Sequence, residues 1–132
     1  MENIFRDLSY NEAKSKIKDW VTKIRVIEDE LAGKLVFDDG RLNIDAIVNS
    51  SITKSDKSEM LTFLKLFVSV LNDFDNDARA IIYYSFFGNK LNEWIVQKLN
   101  ISMNKLNQTK HDTVIEFAEA LGVELLYHQL SK

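Results

Sequence analysis

The residues best suited to chemistry fall in one short stretch, SMNKLNQTKH, from Ser102 to His111. Asn104, Asn107 and Gln108 carry amides that donate and accept together, which matches the edge adenine presents in the major groove of DNA. Lys105 and Lys110 have the reach and charge for guanine or for a phosphate, and His111 adds a further polar contact. Ser102 stands just before the free backbone N–H groups of a helix, where hydrogen bonding and the helix dipole together favour a phosphate. Taken singly, each of these side chains is better explained by a solvated helix surface. As a set on the exposed N-terminal half of one helix, they form a candidate reader of double-stranded DNA.

The remaining inventory argues against catalysis. Cysteine is absent and there are two histidines. No Gly-rich phosphate loop, no His/Cys/Asp cluster at ligand spacing and no nucleophile beside a base can be read in the chain. Asp38 and Asp39 precede Gly40, and Asp-Asp-Gly is turn chemistry before it is a metal site. His128 reads as a surface residue of the C-terminal tail. The expectation is a non-enzyme without cofactor or metal.

Positioning the reader requires two helices and a tight turn, and Leu91 to Phe117 has the spacing for both. Ile95, Val96 and Leu99 give the first helix an apolar face. Asn100 can close it, because Asn tolerates the left-handed conformation better than any residue but Gly. Ile101 turns back toward the core and Ser102 is a good N-cap for a second helix from Met103, with Leu106, Thr109, Thr113 and Phe117 on its inner side. A branched residue at Val96, a turn former at Asn100 and an aliphatic plug at Leu106 are what a helix-turn-helix needs. This helix is expected to stop at Gly122, with VELLYHQL as a short apolar tail.

The rest of the chain reads as helices. Proline is absent and glycine occurs four times, so long helices with little punctuation are expected. From Ser9 to about Leu35 runs an amphipathic helix opened by a Ser9/Glu12 capping box. Its apolar residues Ala13, Ile17, Trp20, Ile24, Ile27 and Leu31 keep a heptad seam. That seam suits either the chain's own core or pairing of two chains into a homodimer. Val36 to Ile44 carries Asp39-Gly40 between short apolar runs, a hairpin signal, or else a plain loop. Asp45 to Asn49 suits a short helical turn. A second long helix starts at a Ser55 cap and presents Met60, Phe63, Leu64, Phe67, Val70, Leu71 and Phe74. A third, capped by Asn76 or Asp77, runs through ARAIIYYSFF to Gly88.

The fold class expected is therefore all-α: a long N-terminal amphipathic helix, then a helical bundle with a C-terminal helix-turn-helix. Residues 1–53 hold the long helix and a connecting loop. Residues 54–132 form the helical DNA-binding domain, with the helix-turn-helix at 91–117. No apolar run is long enough for a bilayer and the N-terminus lacks a signal-peptide pattern, so a cytoplasmic protein is expected. The net charge is −3, but Asn89 to His111 carries Lys90, Lys98, Lys105 and Lys110 against Glu93 alone. This is the chain's electrostatic footprint, and a modest one, which predicts weak, salt-sensitive binding by a single copy.

Residues from about Ser55 to Val123 resemble the ArpU-type phage transcriptional regulators, themselves similar to the promoter-reading helix-turn-helix of sigma factors. The resemblance is carried by NDARAIIYYSFFG, by EWIVQKLNIS and by FAEALGV, and covers about half the chain. It implies a phage or prophage DNA-binding activator of late or lysis genes, and the modest charge of the segment favours a dimer or help from RNA polymerase. The chain departs from that family in the sparse basic residues after the turn and in Asp112, where a basic residue is common. A helical interaction or assembly module, such as a small terminase-like packaging factor with little DNA binding, is the alternative that the acidic balance favours.

Overall fold

A computed structural model describes residues 8–31, 33–38, 41–43 and 58–130. Five helices and one small hairpin follow in order: α1 (Tyr10–Leu31), β1 (Val36–Asp38), β2 (Arg41–Asn43), α2 (Ser58–Asn72), α3 (Asn76–Ile82), α4 (Asn92–Leu99) and α5 (Met103–Leu130). The class is all-α, as the apolar periodicity predicts. Asp39, Gly40, the 45–49 turn and the Ser55 cap lie outside the described residues, as does the side chain of Leu31.

Helix α1 starts on the expected capping box. Ser9 Oγ accepts from Glu12 N at 3.1 Å, and Glu12 Oε1 accepts from Ser9 N at 3.0 Å. The bond from Ser9 N, and after it the Ser9 hydroxyl, hold the Glu12 carboxyl below its usual range. The heptad seam then enters the chain's own core. Ala13, Ile17 and Ile24 are fully buried and Ile27 nearly so. Trp20 lies edge-on to Phe117 of α5, with ring centroids 6.4 Å apart. Buried residues of α1, α2 and α5 form one continuous cluster. Among its described residues the seam offers no exposed stripe for pairing two chains, because one short chain does cover it: α5 is long enough to lie along α1 as well as α2.

Helix α2 supplies the broad face the sequence predicts, with Phe63, Leu64, Phe67, Val70 and Leu71 buried. Phe67 meets Phe117 and Phe87 edge-on at 5.1 and 5.9 Å, so aromatic contacts tie α2 to α5 and to the end of α3. The hairpin is antiparallel, with Phe37 opposite Leu42. Asn72, the last residue of α2, docks it: its side chain accepts from Leu42 N and donates to Leu42 O, both at 3.1 Å. This amide reproduces a ladder pairing, and the hairpin gains a third hydrogen-bonding neighbour without a third strand.

The turn between α2 and α3 is held by Asp75 and Arg79. Asp75, rather than Asn76 or Asp77, is the N-cap, accepting from Ala78 N at 2.9 Å. Asp75 has the extended backbone that an N-cap requires, whereas Asn76 is already helical. Arg79 is buried, and its guanidinium donates to the carbonyls of Asn72 and Phe74 and to Asn76 Oδ1. It thus satisfies carbonyls that the end of α2 leaves without helical partners. Arg79→Met should cost roughly 1.5–3 kcal/mol, the usual loss for charge-assisted bonds. Chemical denaturation measures it, and an unchanged midpoint would show that this clamp is dispensable.

Helix α3 continues without a break into a π-helical turn, Tyr83–Phe87, which ends at Gly88. Gly88 N and Lys90 N donate back to Tyr83 O and Tyr84 O. Helix α5 has 28 residues and does not stop at Gly122. A glycine ends a helix where it takes the left-handed conformation itself, and Gly122 stays helical. Here Gly122 is buried in mid-helix, and Leu125 beyond it still packs on the core. That burial outweighs the roughly 1 kcal/mol a mid-helix glycine costs.

Candidate nucleic-acid interface

Helices α4 and α5 meet through the turn that the residue spacing predicts. Asn100 takes φ 55° and ψ 51°, the left-handed conformation, and caps α4. Ile101 N then donates to Val96 O at 3.1 Å. Ser102 caps α5, its Oγ accepting from Lys105 N at 3.0 Å. Leu106 is fully buried with Ile95 of α4 and Ile81 of α3 in a small second core, edged by Tyr84, Val96, Leu99 and Ile101. This core is separate from the main cluster. It fixes α4 and the first turns of α5 to α3, and so sets which side of α5 faces out.

That outward side carries the expected readers. Asn104, Asn107, Gln108 and His111 are exposed, and their spacing of i, i+3, i+4 and i+7 places them on one helical stripe. Ser102 and Lys105 are exposed beside it. His111 is further constrained: its ring stacks on Tyr10 at the start of α1, with centroids 5.3 Å apart and planes 5° from parallel. Its Nδ1 lies 3.4 Å from Asp112 Oδ1. His111 thus marks the end of the stripe, where α1 begins to flank it.

Lys110 separates from this set. It is half-buried on the side of α5 that faces α1, and its Nζ donates to Asn92 Oδ1 at 3.3 Å. Burial first, and then the charges of Lys14 and Lys18, push its pKa down. Among the expected readers it is the one turned away from the stripe. Lys105 has different neighbours: with Thr109 it borders a depression shared with Asp75, Asn76 and Asp77, so carboxylates offset its charge on that flank.

The depressed pKa of Lys110 has a consequence for stability. Between the folded value and the ordinary lysine value the unfolded chain binds more protons, so stability rises with pH through that window. Below it the folded state bears the cost of a buried charge. Lys110→Met is therefore expected to raise the thermal midpoint at pH 7 and to have a smaller effect as pH approaches the unfolded lysine value. A lower midpoint at neutral pH would mean that the bond to Asn92 outweighs the burial.

Two features of the interface are absent from the sequence reading. The first is apolar exposure at the start of α4: Leu91 is 73% and Trp94 38% exposed, with Lys90 Nζ 4.7 Å from the Trp94 ring centroid. The second is a cationic cleft behind α5, where Lys14 and Lys18 of α1 approach Lys110. The heptad pattern identifies α1's buried side, but not which neighbour its lysines will face.

No family model, curated protein or solved structure matches this chain. Among the described residues no group of His, Cys, Asp or Glu is arranged to hold a metal ion, and no helix is long and apolar enough to cross a membrane.

Proposed function

We propose that this chain is a non-enzymatic, cytoplasmic DNA-binding transcription regulator that reads the major groove with the N-terminal half of α5. The observation that carries this reading is the combination at the α4–α5 turn. Asn100 reverses the chain in the left-handed conformation, Leu106 plugs the crossing, and Asn104, Asn107, Gln108 and His111 are left exposed on one stripe. In a helix-turn-helix the second helix enters the groove by its N-terminal residues while the first lies over the backbone. Ser102 and the N–H groups after it would take a phosphate, and the amides of Asn104, Asn107 and Gln108 would take base edges.

Within this reading, the resemblance to ArpU-type regulators supports a phage or prophage origin and activation of late or lysis genes together with RNA polymerase. A sparse positive charge on the reading face is consistent with a protein that needs such help, because each phosphate contact adds salt-sensitive affinity and there are few to make. One observation favours the alternative of an assembly module: exposed Leu91 and Trp94 lie at the start of α4, where a protein partner would find an apolar anchor.

Titration of labelled duplexes from beside the chain's own gene, at low salt, tests the reading. Specific fragments should bind more tightly than random duplex. Gln108→Ala should relax preference at one base position by roughly 1–3 kcal/mol. Lys105→Ala should either do the same or, if it holds phosphate, weaken all sequences alike and lower the salt slope by about one. Equal behaviour of Gln108→Ala and the unaltered chain toward specific and random DNA would remove Gln108 from the reading set.

A further inference from the structure

Behind the reading helix lies a cleft of about 570 Å³, walled by α1, the π-helical turn and α5. Among the described residues Lys14, Lys18, Arg25, Lys90 and Lys110 line it, and no carboxylate does. Arg25 has an acidic partner: its Nη1 pairs with buried Glu28 at 2.9 Å and its Nη2 donates to Phe87 O at 3.0 Å. Among the described residues no carboxylate lies within ion-pair distance of Lys14, Lys18, Lys90 or Lys110. Like charges held together in a partly desolvated cleft repel, and they persist at such a cost where an anion is to be received.

A second, independent observation comes from the π-helical turn. Ser85 lines the same cleft, and its Oγ is buried without a hydrogen-bond partner among the described residues. A helical serine ordinarily bonds back to a carbonyl of the preceding turn, and buried hydroxyls are ordinarily satisfied. Ser85 does neither, which leaves a donor at the wall of a cationic cleft. π-helical turns are uncommon and concentrate at functional sites. Thr22 and Asn89 add further polar lining.

We propose that this cleft binds a phosphoanion, with Lys14, Lys18 and Lys110 supplying the charge and Ser85 Oγ a hydrogen bond to a phosphate oxygen. The group has two sources. It is either part of a free phosphorylated small molecule or a backbone phosphate of the duplex that α5 would read. Binding of the free anion does not depend on the DNA-binding reading.

Two titrations of the full chain at low salt, one with inorganic pyrophosphate and one with duplex DNA, test the proposal and separate the sources. The probe variant is Lys14→Gln with Lys18→Gln. Lys34→Gln with Lys65→Gln, two exposed lysines that do not line the cleft, controls for net charge, and Ser85→Ala removes the hydroxyl alone. Saturable one-site binding of pyrophosphate, at least about tenfold weaker in the probe variant and unchanged in the control, supports a free phosphoanion. No pyrophosphate binding, with the salt slope for duplex reduced by about two in the probe variant only, supports a backbone phosphate. Both effects together mean that the two sources share the cleft. If pyrophosphate binds in this way and duplex does not bind at all, the cleft stands and the DNA-binding reading falls. The proposal is overturned if neither titration separates the probe variant from the control, or if Ser85→Ala binds phosphoanion as tightly as the unaltered chain.

Discussion

Ile24→Glu should leave a chain with no cooperative folding transition at 25 °C. Ile24 is fully buried in the middle of α1, inside the cluster that joins α1 to α2 and α5. A carboxylate there has two options. It can stay ionised without a buried cation, at a cost of several kcal/mol, or take up a proton and remain a poorly satisfied polar group. Either cost comes on top of the lost burial of the isoleucine, about 2–5 kcal/mol for truncation alone. Total stability for a domain is roughly 5–15 kcal/mol, so the sum takes most or all of it. Circular dichroism with thermal melting, and light scattering for mass, measure the outcome. A helical, cooperatively melting monomer would mean that Ile24 faces solvent or a second chain.

Leu106→Ala has the second largest expected effect, and it acts on the smaller core. The leucine is fully buried with Ile81 and Ile95, and Tyr84, Val96, Leu99 and Ile101 pack around the three. Truncation should cost on the order of 2–5 kcal/mol, the higher figures applying where neighbours cannot collapse into the cavity. The thermal midpoint should fall on the order of 10 °C. Because this core sets how α5 leaves the turn, the variant should also bind duplex less well at temperatures where it remains folded. A midpoint within a degree or two of the unaltered chain would show that α4 and α5 do not cross at this residue.

Local chemistry made much of this fold legible. The Ser9/Glu12 box, Asn100, Ser102 and the Leu106 plug each depend on residues within a few positions, and spacing alone places them. Gly122 shows the opposite case. A glycine signals a helix end only when nothing further on holds the helix together, and the packing of Leu125 is a tertiary fact. The seam of α1 was equally ambiguous, since the same heptad serves a partner or the chain's own core, and only the course of α5 decides between them. At the site, the stripe of Asn104, Asn107, Gln108 and His111 follows from helical period. The turn of Lys110 toward Lys14 and Lys18 does not, because it depends on the azimuth at which α1 meets α5. Buried Arg79 and Glu28 were hidden for the same reason. Charged residues in a helix read as solvent-facing until the carbonyls or N–H groups they satisfy, such as Leu35 N at 2.6 Å from Glu28 Oε2, are placed beside them.

The reading helix can be tested directly by mapping backbone amide shifts of the labelled chain as a duplex is added at low salt. The largest shifts should fall on Ser102, Asn104, Lys105, Asn107, Gln108 and His111, with smaller ones at the start of α4. Shifts confined to Leu91, Trp94 or the C-terminal turns of α5, with the stripe of Asn104 to His111 unmoved, would contradict the account.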